Sequence, residues 1–493
     1  MVEAARLDAM GLQRKAFKGV LWSAAEGWGR QAISFLVFAL LARLLNPDAF
    51  GLVALAGVFL AFLQIFVDQG FPTAIIQRST LEEAHLNTAF WTNLGVSSVL
   101  TCFCIVMASD IAQGLKQPEL TPVIQWLSLG LLLTALSSVQ QSLLRRKFRF
   151  KELAIRSLVA IILGGGVGVG LAIAGWGVWS LVGKQLTEGL AAVIVLWWSS
   201  DWRPKFQFSR QHFQELISFG GNIVGANIFE FFNRQSDNFL IGLFLGSAAL
   251  GYYSVAYRVL IILTQLLSVV VNQVALPVFS ELQQDITKLR GVFYEATRLT
   301  SFIAFPCFLG MAALSPELVE IIFGHQWLPS APVMSVLALI GIQHAISYLY
   351  SDVILAMGKA SWRMWLNGFN AISNVVCFAV AVKWGIVAVA WSFVIQSGII
   401  ATPMFYLATQ RLIHLDFKTY IKQLLSPLLA CGVMVGTILI FKLFLKDWLD
   451  VYPLTFVLIT SGILSYTVVC WLLEPKYFSN ILRVLQSRAL PKT

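Results

Sequence analysis

Fourteen long apolar runs decide what this chain can fold into. They lie at roughly 19–43, 50–71, 86–109, 122–143, 155–174, 176–198, 214–243, 249–275, 296–314, 331–357, 362–382, 384–409, 423–444 and 452–473. A helix that crosses a membrane needs about 20 mostly apolar residues, and each run supplies that length. Pro306, Pro403 and Pro427 interrupt three of the runs, which membrane bundles tolerate better than soluble helices do. Strands of an outer-membrane barrel would alternate apolar and polar residues over ~10 positions; these runs are continuous. Composition agrees. Only 12% of the 493 residues are charged and 58% are hydrophobic, whereas a soluble domain carries about 25% charge. Disordered, collagenous, coiled-coil and disulfide-rich classes are excluded. The chain reads as an all-α polytopic membrane protein.

The net charge of +10 would suit a nucleic-acid binder until the charges are placed. Twenty-six of the 35 Lys and Arg fall in the N-terminal tail, in every second loop and in the C-terminal tail. Five fall in the other loops and four inside the runs. Cytoplasmic loops retain Lys and Arg, so both ends are expected in the cytoplasm, with no nucleic-acid partner. Trp residues gather near the expected interfaces, as in an aromatic belt. The first run is too long for a signal peptide, carries Glu26 and Arg30, and lacks a convincing cleavage site.

Cofactor and metal signals are missing. All six Cys lie in apolar runs and read as packing residues. None of the five His shows metal spacing; His212 with Glu215 reads as an interfacial pair. The glycines of 164–170 follow no strand, and no GxxxxGK[ST] sequence occurs. Small residues four apart there, such as Gly166 and Gly170, fit close helix packing.

A weak internal repeat divides the chain. Leu40 to Gly51, which holds Asn46-Pro47-Asp48-Ala49-Phe50, ends the first run and turns into the second. Leu240 to Gly251, which holds Gly246-Ser247-Ala248-Ala249-Leu250, does the same for the seventh and eighth. Six spans per half is even, so both halves share one orientation. Parallel repeats of this kind place a substrate site between two lobes near the midplane. The expected division is an N-lobe at 1–205, a C-lobe at 206–415, two further helices at 416–475 and a cytoplasmic tail at 476–493.

The charges inside the runs come in helical sets. One at the centre of a span costs about 2.5–3.5 kcal/mol, so such residues face the protein interior or a wet cavity. Glu26 and Arg30 are four apart in the first span. Glu230, Arg234 and Asp237 stand at i, i+4 and i+7 in the seventh, the equivalent helix. Lys184 and Glu188 repeat the spacing in the sixth, and Arg258 is embedded in the eighth. Asp68 and Asp352 lie near the cytoplasmic ends of their spans. Deep acids and bases balance, so mutual neutralisation explains Lys184 and Glu188 as well as function does. The first and seventh spans hold matching stripes where a central cavity would lie, which favours function there. The basic run Arg145-Arg146-Lys147-Phe148-Arg149-Phe150-Lys151 reads as a topology anchor, with lipid phosphates as the alternative.

Several stretches resemble polysaccharide-repeat flippases of the Wzx type, nearest the colanic-acid-exporter group of the multidrug/oligosaccharidyl-lipid/polysaccharide superfamily. They are Ala42-Arg43-Leu44-Leu45 to Phe50-Gly51, Asp68-Gln69-Gly70-Phe71 to Ile75-Ile76-Gln77-Arg78, and Asp237-Asn238. Leu250-Gly251-Tyr252-Tyr253 with Ala256-Tyr257, and Pro277-Val278-Phe279 with Gln283-Gln284-Asp285 and Leu289-Arg290, complete the set. The resemblance implies two six-helix lobes plus two helices, working as a monomer in a bacterial inner membrane. It implies movement of a polyprenyl-pyrophosphate-linked oligosaccharide to the outer leaflet, among membrane lipids and beside polysaccharide polymerase machinery.

That substrate fits the deep charges. The planar fork of Arg suits a phosphate, so Arg30, Arg234, Arg258 and Lys184 are the expected cavity residues. Glu26, Glu230, Asp237 and Asp352 are candidates for ion or proton coupling. A drug/cation antiporter or a lipid II flippase of the same superfamily remain alternatives, although a cavity rich in Arg would repel cations. A membrane-embedded glycan polymerase or ligase would need a sizeable outer loop. The longest here, about 315–330, offers only Glu317, Glu320 and His325.

Overall fold

The computed structural model describes residue 27 and residues 29–475 apart from residue 79. Among these every regular element is helical, and twelve helices are long and apolar enough to cross a membrane. Eleven match expected runs one for one. Of the run expected at 19–43, residue 27 and residues 29–43 are described and helical, and the continuous helix 29–44 is α1. The runs expected at 214–243 and 249–275 form the two limbs of α8 (Arg210–Glu281), separated by non-helical backbone at Gly246. Its apolar stretch of 41 residues, Asn227–Leu267, is long enough for two crossings, and the limbs fold back on each other: Tyr253 bonds to Asp237, and a Cβ on Gly242 would stand 3.2 Å from the Leu250 Cδ2. Gly246 has φ 86° and ψ −178°, a conformation open essentially to Gly alone.

Two compact units result, Met1–Ser254 and Val255–Thr493. The first contains α1, α2 (Pro47–Asp68), the short α3 (Phe71–Gln77), α4 (Glu83–Gly114), α5 (Leu120–Arg146), α6 (Phe150–Ile173) and α7 (Val178–Ser199). The second runs from α9 (Ile286–Ala313) and α10 (Ser315–Phe323) through α11 (Ser330–Ala356) and α12 (Ala360–Ala381). It continues with α13 (Ile386–Gln396), α14 (Thr402–Ile413), α15 (Phe417–Leu445) and α16 (Val451–Leu473). One core among its described residues gathers Phe279, Phe293, Phe305, Leu349, Tyr350 and Val353, all nearly inaccessible.

Local chemistry explains the breaks. Asn46 caps α2 by accepting the Ala49 N–H at 3.0 Å, with Pro47 in the first turn, where a missing N–H costs nothing. Asp416 caps α15, accepting the Thr419 hydroxyl at 2.6 Å and its N–H at 2.8 Å, bonds that hold its carboxyl below the usual range. Pro306 and Pro427 sit inside α9 and α15. Pro403 is accommodated differently: one π-helical stretch, Ser397–Ala401, joins α13 to α14 just before it.

Helix α6 packs closely on α7 through glycine. A Cβ on Gly164 would stand 2.2 Å from the Glu188 Cγ, and one on Gly168 would stand 2.9 Å from the Lys184 Cβ. Gly165 faces Val37 of α1 at 2.6 Å. Gly166 and Gly170, singled out from the sequence, meet nothing within 4 Å. Spacing of four was the right signal; the phase of the helix chose a different pair.

The two repeat motifs meet each other inside the first unit. A Cβ on Gly51 would lie 1.8 Å from the Ser247 carbonyl oxygen, and one on Gly251 would lie 2.0 Å from the Pro47 carbonyl oxygen. The Ser247 hydroxyl donates to Asp48 Oδ1 at 2.8 Å. The contact is reciprocal: each Gly meets the residue four before the other Gly. Backbone oxygens cannot move aside as side chains can, so Gly51→Ala and Gly251→Ala should each force the turns apart. Overpacking of this kind costs about 1–3 kcal/mol. Thermal unfolding in detergent should show a lower midpoint for both variants, and a wild-type midpoint for either would refute the contact.

Candidate functional site

Helix α2 lies along the first limb of α8, and both are in the first unit. A Cβ on Gly242 would press on the Leu55 Cδ1 at 2.5 Å, so glycine lets the helices approach there. Further along, Phe59 meets Phe239 with ring centroids 6.0 Å apart, and Phe62 meets Phe231 at 5.2 Å. Beyond these rings the helices leave a cavity of about 270 Å³. Gln64 and Asp68 line it from α2; Asn227, Glu230, Arg234 and Gln235 line it from α8.

The polar groups are arranged in pairs. Arg234 Nε lies 2.9 Å from Glu230 Oε1, one helical turn away. Gln64 Nε2 donates to Asp68 Oδ1 at 3.2 Å. The side chains of Arg234 and Glu230 are 70% and 60% exposed, yet both belong to the apolar stretch of α8. Charges so placed and so open need water around them, because hydrocarbon would strip their hydration. The pair therefore faces a wet space.

Asp237 stands apart from its stripe. It is only 3% exposed. The Tyr253 hydroxyl donates to Oδ2 at 2.9 Å and the Asn238 N–H donates to Oδ1 at 2.8 Å. It has no basic partner among the described residues. The spacing placed Glu230, Arg234 and Asp237 on one face; the structure brings two to the cavity and buries the third against the second limb of α8.

The other expected residues are distributed as follows. Glu26 lies outside the described residues. Arg30 is exposed on α1. Lys184 Nζ lies 2.7 Å from Glu188 Oε1, both partly covered by the α6 glycines. Arg258 and Asp352 belong to the second unit and are half-buried. The loop residues weighed for an enzyme are otherwise engaged: Glu317, in α10, pairs with Lys442 of α15 at 2.6 Å.

One cluster was half seen. His212 and Glu215 join Glu82, His85 and Arg78. His85 Nε2 lies 3.3 Å from Glu215 Oε2, which also pairs with Arg78, and His212 Nε2 lies 3.4 Å from Glu82 Oε2. The His rings touch at 4.2 Å. Donor atoms of Glu82, His85 and His212 fall within 4.8 Å of one another, close enough to share an ion. However, the Glu82 N–H donates to His85 Nδ1 at 3.2 Å. That bond requires the proton of a neutral His85 on Nε2, so neither ring nitrogen offers a free lone pair. With Trp91 Nε1 donating to the Lys205 carbonyl at 2.8 Å, the cluster ties the segment before α8 onto α4. Glu82 and His85 sit three apart, a weak signal that could have drawn them in.

This fold defines a class, the polytopic all-helical membrane proteins. The structure of the lipid II flippase MurJ in an inward closed conformation superposes with a TM-score of 0.76 at 15% identity, covering 93% of this chain and 100% of that one. A family model described as polysaccharide biosynthesis protein matches residues 40–332, and the chain belongs to that family. Among its relatives, the succinoglycan biosynthesis transport protein ExoT of Rhizobium meliloti is 30% identical over 322 residues, 65% of each chain. The teichuronic acid biosynthesis protein TuaB of Bacillus subtilis is 26% identical over 432 residues, 86% of this chain and 88% of that one. The resemblance read from the sequence motifs is borne out.

Asp237 and Tyr253 form a buried couple that a double-mutant cycle can weigh. Removing one partner of a buried hydrogen bond costs about 1–3 kcal/mol. Tyr253→Phe should destabilise the protein in the Asp237 background and much less in Asp237→Asn. Strict additivity of the two changes would show that the couple contributes nothing.

Proposed function

We propose that this protein flips a polyprenyl-pyrophosphate-linked oligosaccharide repeat unit from the cytoplasmic to the outer leaflet of a bacterial inner membrane. The product serves cell-surface polysaccharide synthesis, as O-antigen, capsule or exopolysaccharide. The observation that carries the reading is the open Arg234–Glu230 pair, in a wet cavity within an apolar stretch of a polysaccharide biosynthesis protein. A glycan is rich in hydroxyls, which the amides of Gln64, Asn227 and Gln235 suit. Its pyrophosphate, esterified at both ends, is dianionic, which a guanidinium fork suits.

In this reading the working lobes are the repeats 1–205 and 206–415, with the helices of 416–475 appended. Both termini lie in the cytoplasm, the protein acts as a monomer, and it delivers to polymerase machinery on the outer face. Arg30, Arg234, Arg258 and Lys184 hold the anionic head. Glu230 balances Arg234 until a phosphate replaces it, which makes the pair an exchangeable counter-ion. Glu26, Glu230, Asp237 and Asp352 are the carboxylates available for ion or proton coupling. Asp237, buried beside a neutral phenol, is the one best placed to take up a proton without breaking an ion pair.

Arg234→Ala should reduce polymer export at least tenfold at normal expression, and Arg234→Lys should restore part of it. Full export by Arg234→Ala, Arg30→Ala and Arg258→Ala alike would overturn the assignment. Transport into vesicles should rise with an imposed pH or sodium gradient and lose that response in Asp237→Asn. A deletion strain that becomes drug-sensitive, or one that cannot survive, would instead indicate a cation antiporter or a lipid II flippase.

A further inference from the structure

A second groove, remote from the charged cavity in sequence, lies in the first unit among α5, α6 and α7. It encloses about 270 Å³. Glycine opens it: the place of a Cβ on Gly130 of α5 has no atom within 4 Å. Across the groove, Gly189 of α7 lets the Leu133 side chain come close, since a Cβ there would stand 2.8 Å from its Cδ1. The Thr134 and Ser137 hydroxyls turn back onto carbonyls of their own helix, at 2.9 Å each. The wall is mixed: Leu127, Leu133, Leu186 and Ala192 present carbon, and Gln185 adds an amide from α7. Elsewhere on the same three helices Trp126, Ile155 and Leu190 are 53%, 43% and 52% exposed, as expected of side chains that face hydrocarbon.

One end has a different chemistry. Arg156 Nη1 donates to Gln141 Oε1 at 3.0 Å and Nη2 donates to Ser157 Oγ at 2.9 Å, which fixes the guanidinium at the mouth of the groove. The basic run from Arg145 to Lys151 borders the same end. Two of its members are tied into the protein: Arg146 donates to the Ile75 carbonyl at 2.8 Å and Arg149 to Glu152 at 2.9 Å. Arg145, Lys147 and Lys151 are exposed. From Gln141 to Leu127 the groove follows α5 over 14 residues, about 21 Å at ~1.5 Å per residue. Half a hydrocarbon core is ~15 Å deep, so the trough accepts a single acyl chain lengthwise.

We propose that this groove binds an anionic phospholipid of the surrounding membrane, with its phosphate at Arg156 and Gln141 and one acyl chain laid along α5 over Gly130. A planar guanidinium meets a phosphate with parallel hydrogen bonds, and the exposed basic residues beside it favour an anionic headgroup over a zwitterionic one. The topology anchor of the sequence thus doubles as the electrostatic entrance to a lipid site. The inference needs only that the helices cross a membrane, and it does not depend on what is transported.

Native mass spectrometry of the full chain in mild detergent, supplied with phosphatidylglycerol, phosphatidylcholine or a polyprenyl phosphate, tests it. Wild-type protein should retain phosphatidylglycerol in preference to the other two. Arg156→Gln should weaken that retention about tenfold, the weight of one charge-assisted hydrogen bond. Gly130→Leu fills open space, so it should keep the wild-type melting temperature and still displace the lipid. Unchanged phosphatidylglycerol retention in both variants would overturn the proposal. So would equal retention of phosphatidylcholine, or a polyprenyl phosphate that outcompetes phosphatidylglycerol and is displaced by Gly130→Leu.

Discussion

In hydrocarbon no water is available to the peptide group, so every backbone N–H and C=O that crosses must be paired within the chain. The architecture depends on that constraint. It makes each described regular element helical. It also dictates how the irregularities are built: a sharp turn at Gly246 between the two limbs of α8, and a widened π turn ahead of Pro403. Each is confined to a few residues. Once the backbone is satisfied, packing between helices has little hydrophobic drive and relies on close approach. Gly164 and Gly168 supply it between α6 and α7, and Gly242 supplies it between α2 and α8.

The same low dielectric sorts the charges. Lys184 with Glu188, Lys442 with Glu317, and Arg298 with Glu474 are joined as partly covered pairs, which lowers the cost of keeping them out of bulk water. Arg234 and Glu230 are paired too, but in the open. A structural pair gains from being covered, whereas a pair that must exchange partners gains from staying accessible. Exposure, more than pairing, therefore separates the candidate site from the neutralised charges elsewhere.

How much of this was legible can be judged from particular residues. The spans were legible because apolar length is a property of the local sequence. The stripe of Glu230 and Arg234 was legible because helical periodicity is also local. The burial of Asp237 was not, since its partner Tyr253 lies across the bend at Gly246, and a bend changes which faces meet. For the same reason spacing identified glycine packing in α6 but not which glycines take part, because the phase depends on where α7 lies. His212 gave no sign of its contact with His85, which is more than a hundred residues earlier and on another helix. The repeat motifs were visible as similar turns; that they would touch each other was not.

That mutual contact limits how the two turns can change. Gly51 abuts residue 247 and Gly251 abuts residue 47, so the same pair of positions, offset by 200 residues, serves both contacts. This is the logic of an isologous dimer interface, held within one polypeptide. In such an interface a bulky residue on one side is usually absorbed by trimming its opposite. Here the opposite is a carbonyl oxygen, which no amino-acid exchange can trim. A change in either turn can be answered only by moving a whole helix end, and that movement releases both contacts together. The two turns are therefore constrained as one unit, although one follows the other by almost half the length of the chain.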